Sequence, residues 1–386
     1  MHILFATPEI VPFSESKLAS FAATISSTVR DYRPGWAIDY YEKEGIDPAT
    51  INSPVNSVAA ITPLYGEMDP EALLLAMRLT EISVLWHGKK ESVLVYEGVT
   101  HERVPVFFLK HELFGDRAWV EGPASEDIDN AVRYAFFSKC VLEFCRTSSR
   151  AVDIIHCLSW TTALIPTYLS VHYDRDPAMA DLMTMLHIND LADQGCVSPG
   201  ILNRIELTSS VIAREEVVLD RRANFVHSGV LFADMILTNS PAFAKQIQQN
   251  KVGGALSATL LERSSDLTGI PLGIDFAGWD PSKDSNLPVS FDREHLNGKR
   301  RNKAELQHIF GLPLRPLEIL VGLTGHFSEA DGAVVVANAV EELLLDNLEM
   351  QFVVVGDGDF ASKKRFVELA ERFPESVGFT MKKMMR

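Results

Sequence analysis

The sequence predicts an α/β fold with a parallel sheet covered by helices on both faces. Three observations carry this. Short apolar runs alternate with helical stretches along most of the 386 residues, the pattern of βαβ units. The length suits two domains. Hydrophobic residues make up 46% and charged residues 23%, enough apolar material for a sizeable core at an ordinary surface charge.

The elements follow in order. Residues 3–6 form a strand and 18–30 have helical spacing. A strand at 59–63 ends in a turn. Residues 93–96 and 104–109 pair around a turn at Gly98. The stretch 129–146 is a long helix with an aromatic stripe. Strand 153–156 leads into helix 161–169, and strand 182–187 follows. Helix 222–234 precedes strand 235–238. Residues 278–297 carry two prolines, Pro281 and Pro288, and little periodicity, so they read as a linker. A second α/β unit then runs strand 317–324, helix 329–345, strand 351–356, helix 359–372 and strand 377–381. The expected domains are 1–277 and 298–386, joined by the linker 278–297.

Several classes are disfavoured. A net charge of −16 argues against nucleic acid, which needs a basic face. Cys140, Cys145, Cys157 and Cys196 form no CxxC pair and no metal-ligand pattern. They are expected to be free thiols in a reducing compartment. The first residues lack a basic stretch before their short apolar run, so they read as a strand and not a signal peptide. No apolar run approaches the roughly 18 residues of a membrane span. The expectation is a cytoplasmic protein with no membrane association, no metal and no cofactor.

In open α/β sheets, ligands sit outside the carboxyl ends of the strands. The loops after Ala6, His156, His187, Thr238, Thr324 and Gly356 are therefore the candidate site segments, and several carry recognisable motifs. Residues 3–13 form an opening strand and loop. Residues 129–138 read D-N-A-V-R-Y-A-F-F-S. Residues 153–157 read D-I-I-H-C, and W-T-T-A-L follows at 160–164. Residues 229–241 hold G, A-D and T-N-S-P at fixed offsets. Residues 269–281 end in G-I-D and W-D-P, and 298–307 carry G-K, N-K and L-Q. In this order and spacing the chain resembles the bacterial glycogen synthases and plant starch synthases, from Met1 to about Phe379. Each motif is weak singly; six in family order are specific.

The resemblance implies a GT-B fold, with a complete N-terminal Rossmann-like domain and a partial second one. It implies glucosyl transfer from ADP-glucose, or UDP-glucose in some members, to an α-1,4-glucan. The first domain would face the glucan acceptor and the second the nucleotide sugar. Such a transfer develops negative charge on the departing diphosphate, which cations and close backbone N–H groups must meet.

The chain departs from the family at those places. After the first strand the family reads K-T-G-G-L-A-D. Here Glu15 replaces the lysine, both glycines are gone, one residue is deleted, and Ser20 replaces the aspartate. Lys17 stands nearby as a helix-start lysine. Ser159 replaces the aspartate before the tryptophan, Leu158 the second histidine, and Leu272 the asparagine before G-I-D. His326 and Asp331 stand where the family has arginine and lysine. Two unit charges ~4 Å apart interact by about 4 kcal/mol at an effective dielectric of roughly 20. Lysine to aspartate turns that attraction into a repulsion, enough to cost several orders of magnitude in rate. The family's E-P-C-G-L segment and T-G-G loop would follow the last strand, and the sequence does not contain them.

What the resemblance still supports is His187 as the active-site histidine. Asn189, Gln194 and Gly195 would bind substrate from the following loop, which is two residues longer than the family's H-N-L-A-Y-Q-G. Gly356, Asp357 and Gly358 match the donor-side G-[ST]-G-D. The expected function is a degenerate glycogen/starch synthase-like protein, a pseudoenzyme that binds glucan (glycogen) or regulates an intact synthase. The substitutions argue against nucleotide-sugar binding. Two alternatives stay open: an active synthase whose remaining half lies elsewhere, and a structural partner with no sugar site.

Overall fold

The computed structural model describes residues 1–14, 17–31, 56–78, 81–115, 127–148, 151–271, 273, 279–328, 332–346 and 348–380, apart from the side chains of Lys17, His326 and Asp357. The chain divides into two compact units, Met1–Leu272 and Gly273–Arg386.

The first unit opens with β1 (His2–Ala6) and α1 (Lys17–Asp31). Next come β2 (Ser57–Pro63), β3 (Ala76–Met77), β4 (Ile82–Trp86), β5 (Lys89–Val99) and β6 (Pro105–Lys110). Helix α2 (Ile128–Thr147), β7 (Ile154–Leu158), α3 (Leu164–His172) and β8 (Met183–Ile188) follow. Then β9 (Cys196–Val197), β10 (Val218–Leu219) and β11 (Arg222–Asn224) build a small antiparallel sheet. Helix α4 (Phe225–Phe232) and β12 (Met235–Thr238) come next. Short helices α5 (Pro241–Gln246), α6 (Asn250–Gly253) and α7 (Ser257–Glu262) lead to β13 (Leu267–Gly269).

The main sheet has the order β13-β12-β8-β7-β1-β2-β6-β5-β3, with β4 paired to β5. Neighbours from β13 to β6 are parallel, while β5 runs antiparallel to β6, β3 and β4. Alternate residues of β1 face opposite layers. Leu4 and Ala6 join the core packed by α2, and Ile3 and Phe5 join the core packed by α1. Helix α2 is buried almost all round from Asn130 to Phe144, as expected of a central helix without a wide polar face. Its N-terminus is capped by Asp127, which accepts from the Asn130 N–H. Its buried Lys139 is paired with Glu206 at 2.6 Å.

Two sequence expectations change here. Gly98 is not a turn: it lies inside β5 opposite Val106, and a Cβ there would come within 2.7 Å of Leu75. The chain reverses instead at 100–104, where Thr100 bonds Val104 at both ends of the turn. The helix expected over 222–234 begins only at Phe225. Residues Arg222–Asn224 pair as a strand, and Asn224 caps the helix by accepting from the His227 N–H.

The second unit begins, among the described residues, with an irregular run to residue 296. Asn302 holds it by bonding both the N–H and the C=O of Val289. Helix α8 (Asn297–Ile309) precedes β14 (Ile319–Phe327), α9 (Ala333–Leu345), β15 (Met350–Gly358), α10 (Phe360–Arg372) and β16 (Val377–Thr380). The three strands form a parallel sheet ordered β14-β15-β16. Its core is built from Phe327, Val340, Phe352, Val354, Phe366 and Leu369. Among the described residues no helix is long and apolar enough to cross a membrane.

Candidate functional site

The main sheet of the first unit reverses its direction of growth at β1. From β1 the chain builds outward through β2 and β6, then returns to the other side of β1 with β7, β8 and β12. The loops leaving β1 and β7 therefore diverge, opening a crevice at the carboxyl end of the sheet. The register places Phe5 beside His156, and Leu158 beside His187.

A chain of polar side chains, two buried histidines followed by two half-buried asparagines, crosses this edge. His156 on β7 is 5% exposed and His187 on β8 is 2% exposed. Nε2 of His156 lies 3.1 Å from Nδ1 of His187. Nε2 of His187 lies 2.8 Å from Oδ1 of Asn239, just beyond β12. Nδ2 of Asn239 donates to Oδ1 of Asn189 at 3.2 Å. The amide orientation fixes the tautomers. The Asn239 oxygen can only accept, so His187 carries its proton on Nε2. Its Nδ1 then accepts from Nε2–H of His156.

Both rings are held neutral. Burial, and then the neighbouring His187, push the pKa of His156 down to about 3. Burial pushes His187 down to about 4, against the opposing pull of the Asn239 bond. Aromatic walls support the pair: Phe5 stacks on His156 with centroids 4.8 Å apart, and Phe21 of α1 meets His187 edge-on at 4.9 Å. With both nitrogens paired and no proton to lose near neutrality, His187 reaches a ligand only by breaking this chain.

Ser159 follows β7 in a left-handed conformation, φ 71° and ψ 176°, a region costly for any residue with a Cβ. Its N–H donates to the carbonyl of His187 at 3.2 Å. Leu158 is fully buried in the core packed by α1. Of the remaining expected substrate residues, Asn189 joins the histidine chain, but Gln194 is tied elsewhere. Its amide donates to the Leu191 carbonyl and accepts from Nδ2 of Asn224. Gly195, at φ 64°, packs where a Cβ would come within 2.7 Å of the Trp160 ring. These two residues fasten the loop after β8 to Trp160 and to the start of α4.

In the second unit, Gly356 and Gly358 lie in β15, opposite Gly325 and Phe327. A Cβ at either would overlap the facing carbonyl oxygen, so close strand pairing requires glycine there. His326 and Asp357 are register partners at this strand end. Asp359 caps α10, accepting from the Ser362 N–H at 2.7 Å. Ser20 lies on the exposed side of α1. Glu15, Leu272 and Asp331 lie outside the described residues.

Sequence reasoning did not single out Asn239. The signal was present in T-N-S-P at the end of β12, whose strand pairs with β8 and so sets Asn239 beside His187.

Residues 48–262 match the starch synthase catalytic domain family. The chain is 34% identical over 335 residues to a glycogen synthase of Anaeromyxobacter dehalogenans strain 2CP-1, covering 86% of this chain and 69% of that protein. It is 31% identical over 384 residues to a glycogen synthase of Anaeromyxobacter sp. strain Fw109-5, covering 98% and 75%. Among solved structures, the catalytic domain of starch synthase IV from Arabidopsis thaliana bound to ADP and acarbose superposes with a TM-score of 0.74. The identity is 22%, over 100% of this chain and 74% of that one. The fold is that of the GT-B glycosyltransferases.

Proposed function

The chain belongs to the starch synthase catalytic domain family, and from that premise we propose that it is a glycogen/starch synthase-like protein with little or no glucosyl transfer. It acts by binding α-1,4-glucan or by regulating an intact synthase in the cytoplasm. Its first unit faces glucan, and its second is the counterpart of the nucleotide-sugar side. The starch synthase IV domain that it resembles in fold holds ADP and acarbose, which makes glucan the partner class to test first.

The observation that carries the reading is the closed state of His187, the position the family resemblance marks as active. Both ring nitrogens are engaged, and the side chains bonded to it in series carry no charge. Transfer from a sugar nucleotide needs preorganised donors and cations aimed at the developing diphosphate charge. The sequence removes these where the resemblance expects them, with Glu15 for lysine, His326 for arginine and Asp331 for lysine. Ser20, Ser159 and Leu272 replace further polar family residues. A fold can persist when its chemistry is gone. Incorporation of labelled glucose into glycogen, from ADP-glucose and from UDP-glucose, tests the loss of transfer. Co-sedimentation with glycogen tests the retained binding.

A further inference from the structure

The outer end of the histidine chain is a bridge whose middle member is a side chain of the protein itself. Oδ1 of Asn239 accepts from Nε2–H of His187 at 2.8 Å, and Nδ2 of Asn239 donates to Oδ1 of Asn189 at 3.2 Å. The carboxamide thus lies between one donor and one acceptor. A hydroxyl group, which both donates and accepts, can meet the same pair. No charged side chain takes part in the bridge, so it suits a neutral hydroxylated molecule and offers an anion no cation.

The bridge lies towards the surface. His187 is 2% exposed, whereas Asn189 and Asn239 are both half-buried. The backbone on either side of Asn239 is pinned. The Thr238 carbonyl accepts from the Ile270 N–H at 2.8 Å, and the Thr238 hydroxyl donates to the Ser240 carbonyl at 3.1 Å. The Ser240 hydroxyl caps α5, accepting from the N–H groups of Ala242 and Phe243. Freedom is left to the Asn239 side chain, and turning it to another rotamer breaks both bonds without moving the strand.

We propose that Asn239 is an autoinhibitory latch: its carboxamide fills the hydrogen-bonding position between His187 and Asn189 that a hydroxyl of a neutral sugar takes, and the sugar binds there only when the side chain turns away. The latch presupposes glucan binding at His187, as proposed above. A latch closed in most molecules lowers the apparent affinity by the fraction that is open.

The test is calorimetric titration of maltotriose into the full chain at neutral pH. The parent is compared with Asn239→Ala, with Asn239→Ser, whose side chain is too short to span both partners, and with Asn189→Ala. The two Asn239 variants should bind maltotriose at least about tenfold more tightly than the parent, as follows if roughly a tenth of parent molecules or fewer are open. In both, the Nε2–H resonance of His187 should shift as the sugar is added. Asn189→Ala keeps the bond between His187 and Asn239 and removes the ligand's acceptor, so it should bind no more tightly than the parent. Equal or weaker binding by the Asn239 variants, with the parent still co-sedimenting with glycogen, would overturn the latch and leave glucan binding standing. Sugar binding absent from the parent and from every variant would overturn both. Tighter binding by the Asn239 variants beside a parent that does not co-sediment would support the latch and remove only the retained glucan binding. Equal tightening by Asn189→Ala would overturn the latch, since it would show a general loosening of the loop.

Discussion

Nε2 of His156 donates to Nδ1 of His187 across 3.1 Å, and the two rings lie 12° from parallel with centroids 5.3 Å apart. The pair joins β7 to β8 at the carboxyl end of the sheet and is closed on the far side by Asn239. It is a neutral relay that runs from two buried rings to half-buried asparagines.

The pH dependence of stability follows from this burial. Unfolded imidazoles take up protons near pH 6.5, whereas these fold with values of about 3 and 4. Below pH 6.5 the unfolded state binds more protons, so stability is full above that pH and falls as the solution is acidified. Each ring contributes a slope of up to about 1.4 kcal/mol per pH unit between its two values. Replacing His187 by Gln should flatten the loss of Tm between pH 7 and pH 5 relative to the parent. Parallel curves would show that His187 does not fold neutral.

Asn239 controls the pair from outside. Asn239→Leu leaves Nε2–H of His187 and Oδ1 of Asn189 without their bond and should cost about 1–3 kcal/mol of stability. Asn239→Asp restores an acceptor with a negative charge, which favours the protonated ring. NMR titration should then find His187 ionising at higher pH than in the parent. An unchanged titration would mean that Asn239 does not face the ring.

Much of the fold was legible because strands buried on both faces read as uninterrupted apolar runs. Residues 3–6 are of this kind, and the largely apolar stretches 182–187 and 235–238 come close to it; each lies within or overlaps an observed strand. Strand β4 was missed: its alternating burial from Ile82 to Trp86 belongs to a hairpin with one exposed face, and its apolar Leu85 sits on that face. Helix α4 was started too early because Asn224 gave no signal as a cap until the strand before it was known. The site was legible as a set of strand-end loops and one histidine. The bonds that close His187 were not, since they join residues 31 and 52 positions apart in the chain.

Ser159 offers a test of local strain. A φ of 71° with ψ of 176° is tolerated by glycine and costs other residues about 1–3 kcal/mol. Against that stands the entropy cost of glycine, about 0.5–1 kcal/mol. Ser159→Gly should therefore raise stability by about 1 kcal/mol, seen as a higher Tm, and Ser159→Ala should not. Equal Tm values for the two variants would place the serine in an unstrained loop.

The second unit's sheet depends on close approaches at the ends of β14 and β15. Gly356→Ala would drive a Cβ into the Gly325 carbonyl oxygen, whereas a Cβ at Gly322 meets no atom within 4 Å. Thermal melts should show a marked loss for Gly356→Ala and little change for Gly322→Ala. Equal tolerance would mean that β14 and β15 do not pair to their ends.

The central claim is that a synthase scaffold persists here without the charge arrangement that transfer requires. The most direct measurement is the incorporation of labelled glucose into glycogen, from ADP-glucose and UDP-glucose, beside an intact bacterial glycogen synthase run under the same conditions. The expected result is incorporation at background level with both donors, with the chain still co-sedimenting with glycogen. Turnover comparable to that of the intact enzyme would contradict the claim.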